Sequence, residues 1–78
     1  MPRYFFHIAS SESFIEDYEG VTLAGDKEAY VEACEAAREM LAEHVRKGEV
    51  IDGHQFEVHN ESGTKVFTLP FRDVLRLD

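Results

Sequence analysis

From Asp26 to Gly48, apolar residues recur at steps of three and four: Tyr30, Ala33, Cys34, Ala37, Met40, Leu41 and Val45. That spacing lines one face of an α-helix. Glu28, Glu32, Glu35, Glu39 and Glu43 fall on the other side. The pattern predicts one long amphipathic helix. Asp26 is its expected N-cap, positioned to accept a first-turn amide. Arg46 and Lys47 suit the negative end of the helix dipole, and Gly48 can take the left-handed conformation that stops a helix.

On either side the period changes from helical to two. Arg3 to Ile8 alternates Tyr4, Phe6 and Ile8 on one face with Arg3, Phe5 and His7 on the other, which predicts a strand. Ala9 to Ser13 reads as a hairpin loop, and Phe14 to Tyr18 as a second, weaker strand with Ile15 in the core. Asp17-Tyr18-Glu19-Gly20 has turn chemistry, because Asp bonds amides two residues on and Gly supplies positive φ. Val21 to Leu23 leads into the helix, with Leu23 beneath its first turn. After the helix, Val50 and Ile51 are expected to fold back onto its end, and Asp52-Gly53 marks a turn. Gln55 to Asn60 points Phe56 and Val58 inward. Asn60 to Gly63 forms a hairpin connection. Lys65 to Leu69 is the last strand, with Phe67, Leu69 and then Phe71 on one face and Val66 and Thr68 on the other. Pro70 confines that strand to its end or to a sheet edge. Phe71 to Leu77 is compatible with a helical turn or with extended chain.

The order is ββαββ. It predicts an α+β fold: a four-stranded, mainly antiparallel sheet with one long amphipathic helix packed on one face. Residues 1–78 read as a single domain. A helix of roughly 21 residues is ~31 Å long, whereas a six-residue strand spans ~20 Å. The helix should therefore overhang the sheet, its last turns packed by Val50 and Ile51 or by another subunit. It can also cover only one sheet face, which leaves Phe5, Val66 and Phe14 on the other. A contiguous exposed apolar patch marks an interface. The candidate interface residues are Phe5, His7, Phe14, His59, Val66 and Thr68, and the expected partner is a second copy, giving a homodimer through this open face or through an edge strand.

Charge narrows the choice of partners. The net charge is −8, with ten Asp/Glu against three Lys/Arg in residues 1–43 and six against five in residues 44–78. An acidic chain repels phosphate backbones and anionic lipid, so neither nucleic acid nor a membrane surface is an expected partner. The acidic helix face reads as solvated surface, with a docking site for a basic protein as the alternative. Cys34, the only cysteine, lies on the apolar helix stripe and reads as a small core residue. The apolar run at the N-terminus is too short for a signal peptide, and no segment is long enough to span a membrane, which leads to a cytoplasmic expectation.

No catalytic signature emerges. His54 and His59 are an odd number of residues apart and so face opposite ways on a strand, while His7 and His44 form no short ligand pair. His7 and His59 could meet across neighbouring strands on the open face. Glu16, Asp17 and Glu19 read as solvated turn acids, without the alternating oxygen ligands of a calcium loop. Ser10, Ser11 and Ser13 lack a nucleophile elbow, and the glycines form no phosphate loop. Tyr4-Phe5-Phe6 has only Arg3 as a nearby cation, so base stacking is not expected. No cofactor and no metal site is predicted.

Several stretches together carry a resemblance: Arg3-Tyr4-Phe5-Phe6-His7, the acidic D-x-x-G turn Asp17 to Gly20, the Ala/Glu-rich helix Asp26 to Lys47, Asp52-Gly53, Phe56 to Val58, and Pro70-Phe71-Arg72-Asp73. With these the chain resembles a family of small bacterial proteins known only as a domain of unknown function. The resemblance implies a domain spanning nearly the whole chain and a bacterial origin, and it carries over no functional residue. The sequence therefore points to a non-catalytic self-associating or protein-binding module. The alternative is a small-molecule-binding or catalytic subunit whose site is formed at a dimer interface.

Overall fold

The computed structural model describes residues 1–48 and 53–75. Strand β1 (Arg3–Ala9) is followed by two short strands, β2 (Phe14–Ile15) and β3 (Val21–Thr22), then helix α1 (Asp26–Arg46), strands β4 (Gln55–His59) and β5 (Lys65–Pro70), and a 3-10 turn over Phe71–Leu75. All pairings are antiparallel, in the order β2-β1-β4-β5, with β3 also on β1. The four-stranded sheet with one long helix is thus as the alternation of the chain predicts. β3 is an addition, and two residues are too few to declare a strand by pattern. Pro70 closes β5 on the sheet edge, where its missing amide leaves no ladder bond unmade.

β1 is central, and its far side is covered in two pieces. Ile8 and Ala9 pair with β2, while Arg3 and Tyr4 pair with β3. Between them the connecting turn supplies a side chain in place of a strand. Asp17 Oδ2 accepts the Phe6 amide at 3.0 Å. Its Oδ1 accepts the amides of Glu19 and Gly20, and Gly20 has φ +70°. On the other side, where β4 ends at His59, Glu61 Oε1 accepts the Arg3 amide at 3.0 Å. Two carboxylates thus finish the hydrogen bonding of the central strand.

The core lies between sheet and helix. Tyr4, Phe56, Val58, Leu69, Phe71 and Val74 pack against Ala29, Ala33, Ala37 and Leu41. The buried helical stripe is thus three alanines and a leucine at steps of four. Two residues assigned to it by periodicity are not buried: Tyr30 is 48% and Val45 72% exposed. Small side chains let the helix approach the sheet closely, and the larger residues flank the contact line. Tyr30 still meets the Phe67 ring at 5.3 Å, while Val45 lies on the last turn. Leu23, Cys34, Met40, Phe6 and Ile8 pack around the cluster.

Other expectations are corrected. Gly25, not Asp26, is the N-cap, and no side chain caps this end. Asp26 is the first helical residue, and its Oδ1 accepts the Tyr4 hydroxyl at 2.6 Å, tying β1 to the helix start. Ile15 is 60% exposed, because β2 sits at the sheet edge beyond the cover of the helix. Val66 packs against the core cluster. Val58 pairs with Phe67 and His59 with Lys65, so Val66 is the extra residue of a β-bulge, which breaks the alternation that assigned it to the open face. The C-terminal end of the helix follows the sequence: Gly48 has φ +74° and donates to the Val45 carbonyl. The Asn60 to Gly63 hairpin does as well, with Asn60 Oδ1 accepting the amides of Ser62 and Thr64. Val50, Ile51 and Asp52 lie outside the described residues.

Candidate functional site

The sheet face opposite the helix carries a strip of rings. Phe5 and His7 alternate onto it from β1 and His59 from β4, with Phe14 beside them on β2. The His7 and His59 rings meet edge to face with centroids 4.8 Å apart. Because Phe5 pairs with His59 and His7 with Glu57, the two histidines are diagonal neighbours on one face, as the strand spacing allowed. His7 also stacks with Phe5 at 6.5 Å and tilts against Phe14 at 5.5 Å. Thr68 pairs with Glu57 and is exposed on the same side.

His7 is only 8% exposed, which a histidine on an uncovered sheet face does not suggest. Its burial comes from those three rings and from the turn beside it. The Asp17 amide donates to His7 Nδ1 at 3.0 Å. With Nδ1 as acceptor, the neutral ring carries its proton on Nε2, which has no hydrogen-bond partner among the described residues. Asp17 is therefore no solvated turn acid. Burial alone would push its carboxyl up. The amides of Phe6, Gly20 and Glu19 outweigh this and hold it below its ordinary value of 3.8.

At the end of this strip lies an open pocket of about 280 Å³. Phe5, His7 and His59 form its floor. Glu16, Asp17 and Tyr18 form one wall, and Asn60, Glu61 and Gly63 of the hairpin form the other. The volume falls just below the roughly 300 Å³ at which small-molecule pockets begin, so it suits a side chain or a fragment. Sequence reasoning placed Phe5, His7, Phe14 and His59 together, and the structure does so. It missed Tyr18 and Glu61, which enter from loops and carry no periodic signal.

A second uncovered strip lies on the helix side. The helix leans towards β5 and the 3-10 turn, which leaves a groove of about 210 Å³ over β1. Phe6, Ile8, Val21, Ala36, Met40 and Phe56 line it. One helix thus fails to roof even its own face of the sheet. Elsewhere, His54 stacks on Phe71, and its buried Nδ1 has no partner among the described residues. Among the described residues no group of three or more His, Cys, Asp or Glu is placed to hold a metal ion, and no helix is long and apolar enough to cross a membrane.

An antiparallel sheet with one off-centre helix and a ring-lined open face defines a small α+β domain without obvious catalytic features. The chain belongs to the family described as domain of unknown function DUF6894, whose sequence profile matches residues 3–72. No curated protein and no solved structure matches it.

Proposed function

We propose that the protein is a non-catalytic module that binds protein through the open face of its sheet, with a second copy, forming a homodimer, as the simplest occupant. The observation that carries this reading is the ring strip of Phe5, His7, Phe14 and His59, which no element of the chain covers among the described residues. Aromatic rings set in a polar rim are the composition of interface centres. Thr68 extends the contact surface, whereas Val66, half-buried against the core cluster, is left out of the proposed contact. The proposal sets the protein in the cytoplasm of a bacterial cell, where a lone reduced thiol such as Cys34 is stable. The charge of −8 disfavours nucleic acid and anionic membrane as partners.

Sedimentation equilibrium over a wide concentration range tests the homodimer. The wild type should associate, and Phe14→Glu, at a site 55% exposed, should leave the fold intact and dissociate it. A wild type that stays monomeric throughout removes self-association.

A second reading has one observation in its favour. The pocket that both histidines line would suit a small-molecule-binding or catalytic subunit whose site is completed between two copies. Turnover or binding of a small molecule only at concentrations where the dimer forms would support it over the first.

A further inference from the structure

The pocket at the end of the open face is chemically one-sided. Three carboxylates stand in its walls, those of Glu16, Asp17 and Glu61, and no lysine or arginine among the described residues lines it. Neither Arg3 nor Lys65 is part of the lining: the Arg3 guanidinium donates to the Glu19 carbonyl at 2.7 Å, and Lys65 lies opposite His59 in register. Asp17 and Glu61 are already acceptors for backbone amides, but each carboxylate has further lone pairs, and Glu16 has no hydrogen bond among the described residues. Phe5 and Tyr18 bring aromatic rings to the lining. Aromatic faces and carboxylates together attract a cation, by the ring quadrupole and by charge.

The floor adds a donor. His7 Nε2–H belongs to a ring more than nine-tenths buried and has no partner among the described residues. A bare cation offers nothing to accept it, whereas a peptide brings carbonyl oxygens beside its side chains. From these features we infer that the pocket receives a lysine or arginine side chain presented by a segment of a basic partner protein. The inference rests on the open face being a protein-contact surface. A separate basic segment fits the pocket better than a second copy, since two copies each carry −8. The five glutamates of α1 are a weaker competitor, because they stand on a convex helix surface without rings.

The test uses the full chain and three probes: an acetylated, amidated Gly-Arg-Gly peptide, its citrulline counterpart, and spermidine. Backbone amide shifts are followed by NMR. The arginine peptide should move Phe5, Tyr18, His59 and Gly63, and the neutral citrulline peptide should not. A Glu16→Gln, Glu61→Gln double variant removes the charge, leaves one acceptor oxygen at each position, including one for the Arg3 amide, and should weaken binding by roughly fivefold or more. Added salt should weaken it too. Equal shifts with citrulline, or shifts confined to Glu32–Glu39 of the helix, overturn the inference. Spermidine binding more tightly than the peptide at the same residues also overturns it, in favour of a free amine. Sedimentation of the same samples separates the two readings. The peptides are titrated at dilutions where sedimentation shows monomer, so that the open face is free. An absence of arginine-dependent shifts there refutes the cation pocket alone, and a protein that is monomeric at every concentration with arginine-dependent shifts refutes self-association alone. A monomer with no shifts refutes both.

Discussion

The Asp17 amide donates to His7 Nδ1 at 3.0 Å, so the turn after β2 is pinned to the central strand by a side chain on each partner. His7 takes the Asp17 amide, and Asp17 takes the Phe6 amide in return. This clasp holds the wall of the pocket against its floor. Asp17→Ala would leave the amides of Phe6, Glu19 and Gly20 without their acceptor and should destabilise the fold by about 1–3 kcal/mol. Denaturant unfolding at neutral pH measures it.

The same carboxylate gives a signed pH dependence. Its folded pKa lies below the ordinary 3.8, so its contribution is present above that value and is lost as pH falls through the lower folded one. Wild type should be more stable than Asp17→Asn at pH 6, and the difference should shrink as pH drops below about 4. A difference that grows in acid would contradict the hydrogen-bonding account of Asp17.

At the alkaline end, Tyr4 acts in the opposite sense. The hydrogen bond to Asp26, then burial, then the charges of Asp26 and Glu28 push its hydroxyl up to about 12 from 10.0. Its contribution is therefore complete below pH 10.0 and lost as pH rises through about 12. Phenolate absorbance should show a late-titrating component that Tyr4→Phe removes. Tyr30 is also held above the ordinary phenol value, chiefly by the charge of Cys34 beside it, so the variant is needed to assign that component.

Gly20 and Gly63 separate backbone strain from crowding. A Cβ at Gly20 would lie 2.7 Å from the Tyr4 carbonyl oxygen and 2.9 Å from the Phe5 ring, whereas at Gly63 it would meet nothing within 4 Å. Both have positive φ, +70° and +86°. Gly63→Ala should cost about 1–2 kcal/mol from strain alone. Gly20→Ala should cost roughly 2–4 kcal/mol, because strain and an overpacked contact add. Thermal unfolding of the two variants gives the comparison.

The helix offers a test in which hydrophobicity and burial disagree. Ala33 is fully buried, so Ala33→Leu should overpack the contact with the sheet and cost about 1–3 kcal/mol. Val45→Ala should stay within about 0.5 kcal/mol, although the apolar period places Val45 on the same face.

That disagreement explains what could be read from the chain. Periodicity finds elements and faces, so Tyr4, Phe6 and Ile8, the α1 register, and the meeting of His7 with His59 were legible. Turn chemistry located Gly20, Gly48 and the Asn60 hairpin. Where position depends on how far one element covers another, the pattern is silent. It put Ile15 in a core that the helix does not reach, and it carried the alternation of β5 through the bulge at Val66. It also took Asp26 for a cap, when the carboxylate is claimed by Tyr4 from a distant strand. The pocket was half legible for the same reason: its floor is strand, and its walls are loops positioned by Asp17 and Glu61.

The central place of β1 has a consequence for synthesis. β1 emerges before the helix, yet its longest partner, β4, lies beyond it, so the sheet cannot close until both have been made. The helix can form from local contacts in the meantime, while Tyr4, Phe6 and Ile8 wait without cover. Such non-local pairing slows folding and exposes a bare strand edge to other nascent chains. Chains that stall or are cut between the helix and residue 55 should therefore aggregate through β1, and a chaperone that shields this segment would be needed until β4 is made.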